Sequence, residues 1–332
     1  MKNSFEYIFI AGSSGGHILP AIKAVNELSK LNESTKILFV TNNIGKKFIN
    51  KILNKNLEVK VLDTSNKIMF LFKVLSNFSL LFTTNKNLKL IGFGGFITFP
   101  ILYIAKLFSI LLFKSHKIFL HEQNFIFGYA NKINYWLADN IFISFPTKKI
   151  KKKEIFVGNF FRDEITKPSQ IDDGHVRVLL IGGSAGSVEL NELLLNELSK
   201  IEKSSLSKIQ LDIQISSIHS ETMKAKYTEL TQNVSFFSFL DNINFNNYDL
   251  VISRSGSGSM HEILYFTDKI FFKPHLFSRD QHQKYNLAYF QKNLTLPLAL
   301  SIPLQKNFQS AYYFNELINP YSMQKLVCYI AR

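Results

Sequence analysis

The sequence predicts an α/β fold made of two parallel-sheet domains, and three observations predict it. Apolar strand-like runs alternate with helix-like stretches along most of the chain, the pattern of a parallel sheet covered on both faces by helices. Two glycine-rich turns, each fed by an apolar strand and each opening a helix, sit about half the chain apart: YIFIAGSSGGHILPAIKAV from Tyr7 to Val25, and VRVLLIGGSAGSVELNELL from Val176 to Leu194. The length of 332 residues suits two domains. Such turns bring backbone N–H groups and a helix N-terminus close to an anion, usually a phosphate, so a ligand cleft between the two domains is expected.

The elements follow in order. Strands are expected at Tyr7–Ala11, Lys36–Val40, Val59–Leu62, Leu88–Gly92, Lys117–His121 and Asn140–Ser144. Helices are expected between them at Ile18–Leu31, Lys46–Leu53, Lys67–Phe82, Pro100–Phe113 and Tyr129–Leu137, with Pro20 placed in the first turn of its helix. A second series has strands at Val176–Ile181, Ile209–Ser216, Val234–Phe237, Leu250–Ser253 and Lys269–Phe272, and helices at Ser187–Lys200, Ser220–Thr231, Ser259–Phe266 and His282–Gln291. The stretch from Arg162 to Val176 is polar, carries Pro168 and Gly174, and has neither period, so the domain boundary is placed there. The lysine run just before it, Lys148–Glu154, reads as a solvated loop or as extra attraction for a charged partner.

Composition narrows the partners. One cysteine, Cys328, rules out an internal disulfide and points to a reducing compartment; no secretory signal pattern opens the chain. The net charge of +14 has two readings, an anionic partner or a general enrichment in Lys, Asn, Ile and Phe. Its distribution favours the first. From Thr64 to Leu120 there is no Asp or Glu, while Lys67, Lys73, Lys86, Lys89, Lys106, Lys114 and Lys117 are interleaved with Phe, Leu and Ile runs, as suits an anionic membrane surface. Phe96–Phe113 is apolar enough to raise a transmembrane reading, but Pro100 and Lys106 interrupt it, so a buried or half-buried helix is expected.

The motifs carry the chemistry. Ser14, Gly15 and Gly16 close the first turn, and His17 stands where the helix begins. The turn lacks the G-x-G-x-x-G spacing and has no Walker lysine, which disfavours dinucleotide binding and ATP hydrolysis. Read alone, His17 is either a histidine that packs at the helix start or a general base. A second glycine loop in this half, Gly92–Pro100 with Gly94 and Gly95, supplies another anion-binding turn, and an acceptor carrying a pyrophosphate would fit there. HEQN, His121–Asn124, ends a strand with four polar side chains, where a parallel sheet holds its ligands. Arg254–Glu262 (RSGSGSMHE) resembles a phosphate nest followed by a helix, with Glu262 read as a solvent-facing carboxylate suited to a ribose. Gln283 and Asn286 lie on one helical face and offer amides to a sugar's hydroxyls.

These motifs, in this order and spacing, resemble the MurG family, the UDP-N-acetylglucosamine (UDP-GlcNAc) transferases that glycosylate undecaprenyl-pyrophosphoryl muramoyl-pentapeptide. GSSGGHILPA, GFGGFITFP, HEQNFIFGYANK, VGNFFR, LLIGGSAGSVELN, SRSGSGSMHEI and DQHQKYNLA carry the resemblance, which spans Phe5 to about Gln291. It implies a GT-B fold: an N-terminal acceptor- and membrane-binding domain (1–162), a C-terminal UDP-GlcNAc domain (163–310), and a C-terminal segment (311–332) whose helix crosses back to the N-terminal domain. It implies that Glu262 binds the donor ribose, that Gln283 and Asn286 hold the GlcNAc hydroxyls with Asn124, and that Gly183, Ser184 and Arg162 face the diphosphate. Arg254 and Ser255 would shape the uridine and diphosphate pocket. His17, with Ser14, Gly15, Gly16, Gly94 and Gly95, would lie on the acceptor side, His17 as first candidate for the base and Glu122 as a second. The implied chemistry is inverting transfer in peptidoglycan precursor synthesis at the cytoplasmic face of the bacterial plasma membrane, without cofactor, metal or nucleic acid. No D-x-D pair occurs in the chain.

Departures from the family pattern are Phe160 in place of a proline, His282 in place of a glutamine, Ser13 in place of a glycine, and a short C-terminus. The alternatives are a related transferase acting on another lipid such as diacylglycerol, a UDP-sugar epimerase of the same general fold, and a non-catalytic membrane-bound relative. The acid-free stretch Thr64–Leu120 argues against the epimerase, and the retained His17, Asn124, Glu262, Gln283 and Asn286 argue against the last.

Overall fold

A computed structural model describes residues 5–12, 14–52, 56–84, 86–146, 151–160, 174–183, 186–215, 220–238, 243–304 and 321–331. The chain divides into two compact units, Met1–Phe160 with Asn319–Arg332, and Phe161–Ile318. The expected boundary at Arg162–Val176 falls largely outside the described residues.

The N-terminal unit is a seven-stranded sheet: β1 (Tyr7–Ile10), β2 (Ile37–Asn42), β3 (Leu57–Leu62), β4 (Lys89–Gly92), β5 (Lys117–Glu122), β6 (Asn140–Ile143) and β7 (Glu154–Phe156). The order is β3-β2-β1-β4-β5-β6-β7, and every pair is parallel. Parallel strands need crossovers, and the helices supply them on both faces: α1 (Gly15–Leu31), α2 (Lys67–Thr84), α3 (Thr98–Leu111) and α4 (Tyr129–Asn134). Alternation along β1 shows the two-sided burial. Tyr7 and Phe9 join the core under α1, whereas Ile8 and Ile10 join the core under α2 and α3. In α2 the buried stripe Phe70, Val74, Phe78 and Phe82 repeats every four residues, leaving Ile68, Met69, Leu71, Phe72 and Leu75 exposed.

The second unit is a five-stranded parallel sheet of β8 (Val176–Ile181), β9 (Ile209–Gln214), β10 (Val234–Phe237), β11 (Leu250–Arg254) and β12 (Ile270–Lys273), ordered β10-β9-β8-β11-β12. Its helices are α5 (Val188–Leu198), α6 (Lys203–Leu206), α7 (Ser220–Leu230), α8 (Ser257–Phe266) and α9 (His282–Asn293). Leu190, Leu194 and Leu198 of α5 and Tyr227 of α7 pack on Val178, Leu180, Leu211 and Ile213.

A last helix, α10 (Ser322–Ala331), belongs to the N-terminal unit and packs beside α1 through Met323, Leu326, Val327 and Ile330. Ser322 Oγ donates to the Asn159 carbonyl, Lys325 Nζ to the Phe156 carbonyl at 2.7 Å and Lys89 Nζ to the Ile330 carbonyl at 2.6 Å. The rest of the expected 311–332 segment, up to residue 320, lies outside the described residues. Phe160, where the family has a proline, is buried in the same core.

The structure corrects several expectations. Residues 45–51 form a 3-10 helix (Gly45–Lys51), not the α-helix expected at Lys46–Leu53. Strand β7 begins at Glu154, inside the run read as a solvated loop, and Glu154 is buried; its carboxylate accepts from Tyr135 Oη at 3.3 Å and from the Lys151 N–H at 3.1 Å. Because α1 starts at Gly15, Pro20 lies in its interior and not in its first turn. There it removes the hydrogen bond that an N–H would give to the Gly16 carbonyl. Helix α3 starts two residues before Pro100, which the first turn tolerates, and it is half-buried: Ile101, Leu102, Ile104 and Ala105 face inward, while Tyr103, Leu107, Ile110 and Leu111 are exposed. No helix among the described residues is long and apolar enough to cross a membrane.

Candidate active site

In open parallel sheets, ligands settle outside the carboxyl ends of the strands where the strand order reverses. In the N-terminal unit that point lies between β1 and β4. Strand β1 runs into the turn at Gly12–Gly16, and β4 into the glycine loop at 93–97. His17 sits half-buried between them, its backbone N–H donating to the Ser14 carbonyl at 3.1 Å. Ser14 and Gly16 are exposed, whereas Gly15, Gly94 and Gly95 are buried. Gly94 must be glycine on two counts: its φ is +93°, and a Cβ there would lie 2.9 Å from the His17 ring. Thr98 Oγ1 donates to the Gly94 carbonyl at 2.8 Å and holds that loop in place.

The third loop at this point follows β5. Gln123 Nε2 donates to His17 Nδ1 at 3.4 Å. With Nδ1 accepting, a neutral His17 carries its proton on Nε2. His121, two residues earlier in β5, is fully buried; burial, reinforced by nearby His17, pushes its pKa down to about 3, so it is neutral. Its Nε2 lies 3.4 Å from Ser144 Oγ, and its ring 5.2 Å from that of Phe93.

Glu122, the second candidate base, is placed otherwise. It is 2% exposed, and both oxygens are engaged. Oε1 accepts from Asn124 N at 2.9 Å and from Asn124 Nδ2 at 3.3 Å; Oε2 accepts from Gly128 N and Asn131 Nδ2, each at 2.9 Å. Burial raises its pKa against the pull of these four hydrogen bonds. It is the hub that shapes the 122–131 segment and sets Asn124, not an open base, which corrects that expectation.

In the second unit the order reverses between β8 and β11. The turn after β8 has Gly183 at φ +87° and Gly186 at φ +73°. At Gly182 a Cβ would come within 2.3 Å of Gly186 C and Ser187 N, whereas at Gly183 it would meet nothing within 4 Å, so the turn is tight on one side and open on the other. Ser187 Oγ caps α5 by accepting from Leu190 N at 3.3 Å. Ser184 and Arg162 lie outside the described residues.

Sequence reasoning missed the residue that holds this turn. Gln214 is 2% exposed at the end of β9. Its Oε1 accepts from Gly182 N at 2.7 Å, and its Nε2 donates to the carbonyls of Gly183 at 2.8 Å and Ser238 at 2.9 Å. A signal existed: like HEQN, it is a polar side chain at the carboxyl end of an apolar strand.

After β11, Ser255 is fully buried, its Oγ donating to the Gln283 carbonyl at 2.9 Å, and the likewise buried Asn286 directs Nδ2 to the Ser255 carbonyl at 3.5 Å. Gln283 Oε1 accepts from His275 N at 2.8 Å. The two amides thus join the 254–257 loop and the β12–α9 loop to α9. Asp280 and Gln281, which lead into α9, both have positive φ, +55° and +51°, a conformation disfavoured for non-glycine residues. Glu262 is 4% exposed, which corrects its reading as a solvent-facing carboxylate. Arg254 is committed to Glu189, at 2.5 Å, with a further hydrogen bond to the Pro274 carbonyl. Burial would raise the Glu189 pKa, but Arg254 and Lys273 outweigh it and hold it below the usual range. Gly183, Arg254, Ser255, Glu262, Gln283 and Asn286 therefore all lie in one unit, and His17, Ser14, Gly15, Gly16, Gly94, Gly95 and Asn124 in the other. Among the described residues no cluster of three or more His, Cys, Asp or Glu is placed to hold a metal.

The sequence matches the glycosyltransferase family 28 N-terminal domain over residues 7–143 and the family 28 C-terminal domain over residues 177–298. It is 30% identical over 299 residues to the UDP-N-acetylglucosamine--N-acetylmuramyl-(pentapeptide) pyrophosphoryl-undecaprenol N-acetylglucosamine transferase of Wolbachia sp. subsp. Drosophila simulans, an alignment covering 86% of this chain and 82% of that one. The enzyme of the same name from Finegoldia magna is 27% identical over 336 residues, covering 93% and 88%. The crystal structure of Acinetobacter baumannii MurG matches with a TM-score of 0.72 over 98% of this chain and 99% of that chain, at 19% identity, a likeness of fold.

Proposed function

Since the chain belongs to the family of UDP-N-acetylglucosamine--N-acetylmuramyl-(pentapeptide) pyrophosphoryl-undecaprenol N-acetylglucosamine transferases, with its GT-B fold, we propose how its own residues carry the transfer of GlcNAc. The observation that carries the assignment is the pairing of family membership with a glycine turn at the reversal point of each sheet.

The second unit takes UDP-GlcNAc. The diphosphate rests over the open side of Gly183, where the turn leads into α5 and the helix N-terminus and backbone N–H groups favour negative charge. The family resemblance assigns Ser184 and Arg162 to the same diphosphate. Glu262 accepts from the ribose hydroxyls, Gln283 and Asn286 address the GlcNAc, and Arg254 acts through its pair with Glu189 to hold the strand end and Ser255 in place. The N-terminal unit presents the lipid-linked muramoyl-pentapeptide, its pyrophosphate over Ser14–Gly16 and Gly94–Gly95. Asn124, set by Glu122, contributes to the sugar.

The acceptor 4-hydroxyl attacks the anomeric carbon, the bond from that carbon to the UDP oxygen breaks, and the hydroxyl proton passes to His17. For Nε2 to take that proton, Nδ1 must hold the other one, which requires Gln123 to present Oε1 in place of Nε2. Charge growing on the departing UDP is met by preorganised donors. The protein works as a peripheral protein at the cytoplasmic face of the bacterial plasma membrane, and the exposed apolar faces of α2 and α3, flanked by lysines, support contact with an anionic surface.

The test is incubation with labelled UDP-GlcNAc and a panel of lipid acceptors, with products identified by mass. Glycosylated undecaprenyl-pyrophosphoryl muramoyl-pentapeptide is expected; transfer to diacylglycerol alone, or conversion of UDP-GlcNAc to an epimer, would reject the assignment.

A further inference from the structure

The loop after β5 is held by a residue far along the chain. The β5–β6 ladder ends where the Ser144 N–H donates to the Glu122 carbonyl at 3.0 Å. The next carbonyl, that of Gln123, accepts instead from Asn159 Nδ2 at 3.4 Å, across 36 residues. Gln123 is the residue whose amide meets His17 Nδ1. Asn159 is fully buried and is itself firmly held. Its Oδ1 accepts from the Phe160 N–H at 2.9 Å, and its carbonyl accepts from Ser322 Oγ of α10. Just before it, the Val157 and Gly158 N–H groups both donate to the Ile143 carbonyl, at 3.0 and 3.4 Å. Just after it, Phe160 is buried in the core that α1 and α10 share.

The hydrogen bond made by one ring nitrogen of a histidine sets which nitrogen carries the proton, so the group at Nδ1 selects the tautomer. At His17 that bond is long, 3.4 Å, and a small shift of the Gln123 backbone would break it. Beyond the end of the ladder, Asn159 is what meets the Gln123 carbonyl. We propose that Asn159 is a positioning residue for His17: by fixing the Gln123 backbone it keeps the imidazole in one tautomer and one orientation. The anchor lies where the chain passes between units. The N-terminal unit ends its first segment at Phe160 and resumes at Asn319, close to Asn159 and to its partner Ser322. The consequence for transfer rests on the reading of His17 as the base; the effect on the ring itself does not.

The test reads His17 directly. The full chain is labelled at histidine nitrogen and followed by NMR across pH, the His17 signals being assigned by their loss in His17→Ala. One neutral tautomer is expected in the parent, whichever way the Gln123 amide faces. Asn159→Leu keeps the volume and removes the donor to Gln123; a mixture of tautomers and a shifted titration midpoint are expected. Asn159→Ser, too short to reach the Gln123 carbonyl, repeats the test with a smaller disturbance of the core. Gln123→Met should give the same mixture, and the double variant Gln123→Met/Asn159→Leu no more than Gln123→Met alone. Val327→Ala, which opens a cavity in the same core but touches none of these bonds, should lower stability and keep the single tautomer. Turnover in Asn159→Leu should fall about tenfold with UDP affinity unchanged. The proposal is overturned if both Asn159 variants keep the parent's tautomer and midpoint, or if Val327→Ala mixes the tautomers as fully, which would mark a general loosening. Mixed tautomers with undiminished turnover would uphold the positioning and overturn the reading of His17 as base.

Discussion

Gln214 Nε2 donates to the carbonyl of Gly183 at 2.8 Å, so a buried side chain from the next strand sets the conformation of the turn assigned to the donor diphosphate. The same amide accepts from Gly182 and donates to Ser238, tying together the ends of β8, β9 and β10. Gln214→Met keeps the volume and removes all three bonds. Leaving buried polar groups unpaired costs about 1–3 kcal/mol each, part of which relaxation recovers. We expect UDP to bind about tenfold more weakly by calorimetry. Tyr227→Phe, which removes a buried hydroxyl bonded to Asn191, should cost stability but leave UDP affinity as it is. Equal UDP affinities in Gln214→Met and the parent would mean that the clamp serves folding alone.

His17 and Gly94 form a second pair. His17→Ala removes the assigned base, and loss of a general base costs about 100- to 10,000-fold in turnover. UDP affinity should hardly change, because the residues assigned to UDP itself lie in the other unit. Gly94→Ala should also lower turnover, since the new Cβ would sit 2.9 Å from the imidazole at a φ of +93°. Near-normal kcat in His17→Ala with saturating acceptor would leave His17 a packing residue.

The buried His121 predicts a pH dependence of stability. Its pKa is about 3 in the folded protein, lowered by burial and then by His17, against about 6.5 when unfolded. Between these values the unfolded chain binds more protons, so stability is full above about pH 6.5 and falls on acidification, by at most about 1.4 kcal/mol per pH unit. His116, also lowered chiefly by burial, acts in the same direction; Glu122, raised by burial, acts in the opposite one. The effect of His121 is therefore read from a difference. On going from pH 7 to pH 5 the urea midpoint of the parent should fall further than that of His121→Gln, and parallel shifts would reject the assignment.

Lys89 is left out of the proposed membrane face, because its Nζ bonds the Ile330 carbonyl and lies over the Tyr7 ring. The test set is Lys67, Lys73, Lys86 and Lys106. Each lysine near an anionic surface contributes about 1 kcal/mol, which salt screens. Sedimentation with anionic vesicles should fall with salt without vanishing, since Ile68, Phe72 and Leu75 remain exposed. Replacing the four lysines with glutamate should weaken it strongly and leave UDP affinity unchanged. A quadruple variant that sediments like the parent would place the membrane contact elsewhere.

Most strands and helices were legible in the sequence because they rest on near-neighbour patterns. An apolar run ending in glycines marks β1 and β8, and a four-residue apolar repeat marks α2. Elements without such a pattern were not legible: β7 is three residues long and opens on a charged one, and the 3-10 turn at Gly45–Lys51 shares its apolar spacing with an α-helix. The motifs likewise named which residue types cluster at the strand ends, but not what each one touches. Gln123 lies 106 residues from His17, and Gln214 lies 32 from Gly182. These contacts exist because β1 lies next to β4, which pairs with β5, and because β8 pairs with β9. The sequence by itself determined the elements and the chemistry available to them, through local backbone and hydrophobic preferences. Only the strand order, an outcome of packing whole elements, decided that Glu122 is a buried hub, that Arg254 is held by Glu189, and that Gln214 shapes the Gly182–Gly183 turn.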